Sequence, residues 1–388
     1  MQPDLPSLER PILELTGLEE DSLHLPEAVS QQGLLLLWLQ GTGFPSWPLP
    51  AGARQAALLQ LATSMKLQRT LEDVANVLNS SAIPFLCYKG PALSQAAYGS
   101  AHLRPSGDLD LWLDRRDIAR AIGALERLDF WPRRPHPPLE VHLRFAYEYA
   151  LEQAETGVVL ELHWQVLPHR YGGSASYSAA LARAHTVQLE GQLLPTLSLE
   201  DSLVILAAHG AKHLWYRLLW LYDLAGLLQG AKPDWSLVAQ IARRSGNHTR
   251  VSVALLLLQR IFEKPLPLEW RVSWKARRLA ALLLRLRFLP QSQLLAYLIL
   301  LGLEDGIGGS LRSLLSLALH PSIADISYPQ RPLRPHALYY ATRPWRYLMS
   351  RLKRRPEGSE PGRPAPASPP DGSPPERSSD RGTPPTPA

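Results

Sequence analysis

The chain has 388 residues, of which 45% are hydrophobic, so it is long enough for two or three domains with their own cores. Its single cysteine, Cys87, excludes an internal disulfide, and no apolar run reaches the ~18 residues that a membrane-spanning helix needs. The net charge of +6, from 41 basic and 35 acidic residues, is too mild to indicate nucleic-acid binding by itself. The first residues lack the basic and apolar regions of a secretory signal, so we expect a cytoplasmic protein.

Residues 1–52 are predicted to form an N-terminal helical segment and a link. The link falls at residues 45–50, where prolines and aromatic residues are concentrated. A long helix is predicted to follow it, from about residue 53 to residue 79.

Strands and helices alternate between residues 84 and 168. Four strands are predicted, at residues 85–88, 108–113, 141–151 and 158–166. A helix that has Pro91 in its first turn is predicted at residues 91–98, and Asp114 is placed to cap another helix. This part of the chain therefore has the pattern of a mixed sheet with flanking helices.

The chain becomes helical after a further pair of short strands around Glu190 and Gly191. Ser198 is predicted to cap the first of these helices, with Asp201 at the capping-box position, and a Leu-rich helical pattern continues to about residue 352. Residues 356–388 are rich in proline and nearly free of large apolar side chains, so we predict a disordered tail.

Two aspartates in the predicted strand 108–113 are the strongest chemical signal. Side chains alternate along a strand, so Asp108 and Asp110 project from one face while the leucines between and after them point into a core. Two carboxylates on one face repel each other, and a divalent cation compensates such a pair. Mg²⁺ prefers oxygen ligands and nucleotide phosphates, so the pattern indicates phosphoryl-transfer chemistry with Asp108 and Asp110 as metal ligands.

A third carboxylate follows about fifty residues later, in the predicted strand 158–166. Glu161 and His163 share one face of this strand, and Leu160, Leu162 and Trp164 share the other. We expect this strand to lie beside the D-x-D strand, so that Glu161 completes a two-metal site or acts as the base toward an acceptor hydroxyl.

A predicted phosphate-binding turn precedes the two aspartates. Gly90 lets a phosphate approach the backbone, Pro91 begins a helix whose free amides favour an anion, and Lys89 adds a positive charge. Arg104 is a candidate for a further phosphate contact, with pairing to an acidic residue as the alternative.

These residues together resemble the uncharacterised nucleotidyltransferase family of the polymerase-β superfamily. The resemblance rests on Tyr88-Lys89-Gly90, Tyr98, Arg104, Asp108-Leu109-Asp110 and Glu161-Leu162-His163-Trp164, in this order. Most of the superfamily has Gly-Ser before the helix, where this chain and this particular family have Lys-Gly. The resemblance implies transfer of a nucleoside monophosphate from an NTP such as ATP, with Asp108, Asp110 and Glu161 as catalytic and metal-binding residues. Lys89, Gly90 and Arg104 would then bind the nucleotide.

The resemblance extends into the helical region, to residues 209–215 and 220–224. His209 and His213 lie on one helix face, but no third ligand is evident, so structural or substrate-facing roles are favoured over a zinc site. His163 is a candidate to orient Glu161 or to face the substrate, with a structural histidine at the rim of the sheet as the alternative. Trp220 and Asp223 are expected to brace the helices.

We therefore predict an α+β protein: a small mixed-sheet nucleotidyltransferase core at residues 53–197 and an α-helical domain at residues 198–355. The predicted function is Mg²⁺-dependent nucleotidyl transfer to an acceptor hydroxyl, with a small-molecule acceptor favoured and pyrophosphate as the leaving group. Nucleotidylation of a protein, as in AMPylation, and a non-catalytic nucleotide-binding or scaffold role stay open. No specific nucleic-acid partner is expected.

Two basic stretches, residues 271–287 and 343–355, are interleaved with Leu and Trp. The pattern suits an anionic partner, such as a membrane surface, or a solvated helix face whose aliphatic stems lie on the core.

Overall fold

The computed structural model of the protein describes residues 7–16, 18, 24–42, 50–133, 137–168, 175–288, 292–321, 323, 326, 338–340, 342, 343 and 345. Contacts between Cα atoms group residues 1–344 into one unit and residues 345–388 into another, of which Trp345 alone is described. The predicted tail, the greater part of the link at residues 45–50 and almost all of the basic stretch 343–355 lie outside the described residues.

The N-terminal part is helical, as the sequence predicts. Its helices are α1 (Glu9–Thr16), α2 (Leu25–Gln31), α3 (Leu35–Thr42) and α4 (Ala51–Ser80). The second half of α4 buries Leu67, Leu71, Val74 and Leu78, which recur at helical spacing and pack against the apolar face of the sheet.

Seven strands of the described chain form one mixed sheet in the order β3-β4-β5-β2-β1-β7-β6. The strands are β1 (Phe85–Cys87), β2 (Asp108–Leu113), β3 (Phe130–Pro132), β4 (Glu148–Gln153), β5 (Val159–His163), β6 (His185–Leu189) and β7 (Gln192–Thr196). Helices α5 (Gly90–Tyr98) and α6 (Ile118–Leu125) follow β1 and β2. The α+β fold class that the sequence predicts is thus confirmed.

The parallel pair β2 and β5 lies in the middle of the sheet and determines where the polar residues meet. In its register Asp110 is opposite Glu161, and Leu111 is opposite Leu162. The leucines of both strands enter the core beneath the sheet, so both carboxylates emerge on the opposite face.

The predicted strand 141–151 is wrong in its first half. The structure has helix α7 (Leu139–Phe145) there, and only β4 follows the strand prediction. Pro138 precedes the helix in an extended conformation, and α7 buries Val141, His142 and Phe145, a helical spacing. The short edge strand β3, which pairs with β4, was not predicted either.

The rest of the described chain is mostly helical. Ser198 caps its helix as predicted, because the Ser198 hydroxyl accepts a hydrogen bond from the Asp201 backbone N–H at 3.1 Å. The helices are α8 (Tyr177–Ala182), α9 (Leu199–Lys212), α10 (Leu219–Gly230), α11 (Trp235–Arg244), α12 (His248–Phe262), α13 (Trp274–Arg285), α14 (Gln293–Gly302) and α15 (Gly306–Leu319). In the described part of the chain, no helix is long and apolar enough to cross a membrane.

Helix α10 packs closely against α5 because a glycine lies at their crossing. A Cβ atom added to Gly226 would stand 2.8 Å from the backbone oxygen of Ala97 and 2.9 Å from the Tyr98 ring. This close approach joins the helical layer to the helix that begins at Lys89 and Gly90.

We expect Gly226→Ala to lower the free energy of unfolding by about 1–3 kcal/mol, because the backbone of α5 cannot yield to the new methyl group. Gly230→Ala is the matched control, since it is on the same helix with no atom within 4 Å of the added Cβ. Urea denaturation of both variants checks this. Equal effects at the two positions would contradict the close packing.

Candidate active site

Asp110 lies at the centre of a buried polar cluster on the open face of the sheet. One of its oxygens, Oδ1, accepts hydrogen bonds from the Lys89 ammonium at 3.1 Å and the Tyr88 hydroxyl at 3.3 Å. The same oxygen lies 3.0 Å from Nε2 of His163. The carboxylate is 5% exposed, so these three groups replace water as its partners.

Glu161 joins the cluster through the same histidine. Its Oε2 lies 3.2 Å from His163 Nε2, and Glu148 Oε2 lies 3.5 Å from the other ring nitrogen. The ligand atoms of Asp110, Glu161 and His163 all lie within 4.8 Å of one another, which makes them a group that could hold a metal ion. As the strand alternation predicts, the structure places the Glu161 carboxylate close to Asp110.

Asp108 lies on the same face but one step away from this group. Burial, together with the charges of Asp110 and Glu161, raises its pKa to about 7. The pKa of Asp110 moves in the opposite direction. Burial opposes ionisation of that carboxyl, but Lys89 and His163 lower its pKa well below the usual range.

His163 carries the positive charge that the cluster needs. Burial favours its neutral form, but its hydrogen bonds with Asp110 and Glu161 raise its pKa to about 9. At neutral pH the carboxylates are therefore compensated by two cations, the imidazolium and Lys89. The carboxylates of this site need nearby positive charge, and their oxygens are the ligands that Mg²⁺ prefers. The site therefore has suitable donor atoms for a divalent cation.

The turn between β1 and α5 brings Lys89 to this cluster. Gly90 has φ +63°, a backbone conformation that glycine adopts without strain, and α5 begins there with proline in its first turn. The free N–H groups of the first turn of α5 thus adjoin a lysine that already contacts Asp110. The structure thus has the predicted turn and helix start, and phosphate binding by them stays a prediction.

Arg104 lies in a different buried network. Its Nε donates to both carboxylate oxygens of Asp223 on α10, at 3.0 and 3.1 Å, and the Tyr98 hydroxyl donates to the same carboxylate at 2.7 Å. Arg104 is 6% exposed and Asp223 1% exposed. Of the two roles that the sequence leaves open for Arg104, the structure shows the pairing with an acid; a phosphate contact stays a prediction.

His209 and His213 lie at the end of α9 among aromatic rings. The His213 ring stacks on Trp220 at 4.8 Å, and the His209 ring meets the same indole edge-on at 5.7 Å. Burial and neighbouring cations, Lys89 among them, lower both pKa values, that of His213 to about 4. Both imidazoles are therefore neutral at physiological pH. Neither belongs to the metal-ligating group found among the described residues.

Three residues that the sequence analysis did not single out complete the site. The Tyr88 hydroxyl reaches Asp110, Glu148 approaches His163, and Lys212 donates to the Tyr147 hydroxyl at 3.3 Å. The Tyr147 ring is 6.0 Å from that of His163, so Lys212 brings the end of α9 to the cluster. Tyr88 and Lys212 lie within the motifs on which the family resemblance rests. Glu148 begins β4, which the sequence analysis had joined to the preceding helix as one strand.

The chain is similar to known nucleotidyltransferase-like proteins. A family described as uncharacterised nucleotidyltransferases has a model that matches residues 36–263. The crystal structure of an antigenic nucleotidyltransferase-like protein from Paracoccidioides brasiliensis is 20% identical, with a TM-score of 0.35, and the match covers 51% of this chain and 89% of that chain. No curated protein matches the chain.

Removing one partner of the Arg104–Asp223 pair should destabilise the protein strongly. We expect Arg104→Met to lower the free energy of unfolding by about 3–5 kcal/mol, because it leaves the Asp223 carboxylate buried without its main countercharge. The double variant Arg104→Met with Asp223→Leu should lose less than Arg104→Met alone. Urea denaturation of the single and double variants gives the coupling, and an additive double variant would contradict it.

The raised pKa of Asp108 predicts a pH-dependent penalty in metal-free buffer. Asp108 has a pKa of about 7 in the folded protein and 3.8 in the unfolded chain, so between these pH values only the folded state keeps the proton. The free energy of unfolding therefore falls as the pH rises from about 4 to about 7. We expect Asp108→Asn to stabilise the protein more at about pH 8 than at about pH 5, by roughly 2–3 kcal/mol.

Chemical denaturation at the two pH values, in the presence of a chelator, measures this difference. Asp73→Asn, on the exposed face of α4, is the matched control and should show none. A stabilisation by Asp108→Asn that is the same at both pH values would show that the carboxyl is not repelled in the folded state.

Proposed function

The chain belongs to the family of uncharacterised nucleotidyltransferases, and we propose that it transfers a nucleoside monophosphate from an NTP to an acceptor hydroxyl, with release of pyrophosphate. The observation that carries the proposal is the pair of adjacent carboxylates of Asp110 and Glu161, with Lys89 and the first turn of α5 beside them. This combination puts metal-binding carboxylates next to a site for phosphate, which is what nucleotidyl transfer requires.

Asp110 and Glu161 are the residues that would hold a divalent cation, with Asp108 as a further oxygen ligand on the same strand face. When bound, Mg²⁺ would neutralise the phosphate charge that develops during transfer. His163 contacts both carboxylates and Lys89 contacts Asp110, and together they keep Asp110 ionised and able to coordinate a cation. Binding of a divalent cation would lower the pKa of Asp108 and release its proton, because repulsion by Asp110 and Glu161 is part of what raises that pKa.

Lys89 and the start of α5 would bind the triphosphate. The Lys89 side chain is 13% exposed and its ammonium contacts Asp110. We expect the ammonium to turn from this carboxylate toward a phosphate when a nucleotide binds. The first turn of α5 supplies N–H donors and the positive end of the helix dipole. Pre-formed donors of this kind stabilise the charge on the phosphates without reorganisation during the reaction.

The acceptor would approach from the side of α9. His209 and His213 are neutral at physiological pH, so they would accept hydrogen bonds from other polar groups of the acceptor. Glu161 would accept the proton of the hydroxyl that receives the nucleotide. A small-molecule acceptor is favoured, because only 25% of the Glu161 side chain is exposed and the rest of the cluster is buried. So little accessible surface suits a small molecule better than a protein surface. We propose residues 53–197 as the nucleotidyltransferase core and residues 198–355 as the helical domain that contributes this acceptor side.

Two substitutions that hardly change side-chain size, Asp110→Asn and Glu161→Gln, should separate nucleotide binding from nucleotide transfer. We expect Asp110→Asn to abolish both the thermal stabilisation by Mg·NTP and the transfer of label from an NTP labelled at its α-phosphate. Glu161→Gln should lower transfer more than about a hundredfold while it leaves much of the NTP affinity, because its role is the proton or the second metal. Glu126→Gln, on the surface, is the control and should behave as the wild type.

Incubation of each labelled NTP with cell extract, followed by separation of small molecules from protein, identifies the acceptor class. Label in the protein fraction would favour the alternative, nucleotidylation of a protein. If no NTP stabilises the wild type in the presence of Mg²⁺, the protein is not a nucleotidyltransferase and a scaffold role gains support.

A further inference from the structure

The last helices of the described chain expose an unusual amount of aliphatic surface. In α15, five large apolar residues recur on one face and each is at least 45% exposed: Ile307, Leu311, Leu314, Leu315 and Leu319. Leu294 and Leu298, one turn apart on the neighbouring helix α14, are also exposed. We call these seven residues the leucine face. Exposed aliphatic side chains in this number on two neighbouring helices indicate an interaction site.

Basic residues line the edge of the leucine face. Ile307 lines a groove of about 740 Å³ together with Arg243, Lys275 and the exposed indole of Trp274. An adjoining cavity is lined by Arg244 and Arg312, and shares Arg243 with the groove. We call Arg243, Arg244, Lys275 and Arg312 the basic rim. The three arginines of the rim make no hydrogen bond or ion pair with side chains in the described part of the chain.

The acidic residues that line these cavities, Glu304 and Asp305, already have partners within the protein. The Asp305 carboxylate accepts hydrogen bonds from the backbone N–H groups of His248 and Thr249 at 2.8 and 2.7 Å. Glu304 is buried and pairs with Arg250. Residues 264–320 contain eight Lys and Arg residues against three acidic ones, so this part of the chain presents positive charge to its surroundings.

We propose that the leucine face and the basic rim form a docking surface for an anionic membrane. The aliphatic side chains and Trp274 enter the boundary between headgroups and acyl chains, and the rim arginines bind lipid phosphates. An interfacial helix that lies in the plane of a bilayer has this distribution, with apolar residues on one side and arginine or lysine beside them. The protein would bind at the surface, in keeping with the lack of a helix able to span the bilayer among the described residues.

Charge complementarity favours a membrane over a second copy of the chain. A symmetric dimer through the leucine face would place the basic rims of two copies near each other, and like charges at an interface oppose association. An anionic lipid surface instead attracts every rim residue at once. The proposal does not depend on the proposed enzymatic activity.

Co-sedimentation of the full chain with vesicles tests the proposal. We expect the protein to bind vesicles of phosphatidylcholine mixed with phosphatidylglycerol at least about tenfold more tightly than vesicles of phosphatidylcholine alone, with binding that weakens as salt is added. Ile307→Ser with Leu311→Ser should weaken binding to the anionic vesicles about tenfold or more, since two insertion residues are lost. Arg243→Gln with Arg312→Gln should do so as well.

The matched control is Leu58→Ser with Leu59→Ser, which changes two equally exposed leucines of α4 and should leave vesicle binding unchanged. Circular dichroism confirms that each variant is folded. The proposal is overturned if the wild type ignores anionic vesicles, or if the control loses as much binding as the Ile307 and Leu311 variant. It is also overturned if that variant turns a dimer into a monomer while vesicle binding stays the same.

Discussion

The buried ion pair between Arg104 and Asp223 is the interaction on which the arrangement of the site depends. It ties the segment between α5 and β2 to α10, and the Tyr98 hydroxyl reinforces it from α5. Both charges are almost fully buried, so each tolerates its position only while the other is present. Because α10 is held in this way, its Trp220 packs against His209 and His213 at the end of α9, and Lys212 beside them donates to the Tyr147 hydroxyl near the cluster.

Repulsion between carboxylates is the second constraint, and the protein meets it by placing two cations among them. Asp110 and Glu161 face each other across parallel strands whose leucines anchor the opposite side of the sheet. Lys89 and an imidazolium at His163 supply the compensating charge, which keeps Asp110 ionised and leaves Asp108 with a raised pKa. Repulsion between the carboxylates therefore destabilises the folded protein, and a metal-bound nucleotide would reduce this repulsion. In this way the stability of the fold is linked to its proposed chemistry.

Some elements followed directly from local pattern. The strands β2 and β5, the proline-started helix α5 and the Ser198 cap were predicted because alternation, proline geometry and capping chemistry act within a few residues. The segment 141–151 was misread because a buried helical turn and a strand adjoin there, and a short run of apolar residues suits both. Strand β3 escaped prediction because three residues at a sheet edge carry too little periodicity, and their conformation depends on pairing with β4.

The sequence by itself determined the family, the mixed fold and the shared sheet face of Asp108, Asp110 and Glu161, because strand alternation restricts where such side chains can project. It did not determine the partners of those side chains. The pairing of Arg104 with Asp223, the approach of His163 to Asp110 and the contact of Lys212 with Tyr147 join residues that are 53 to 119 positions apart. Such contacts are decided when the helical layer docks on the sheet, where burial forces each charged group to find a partner that no local pattern specifies.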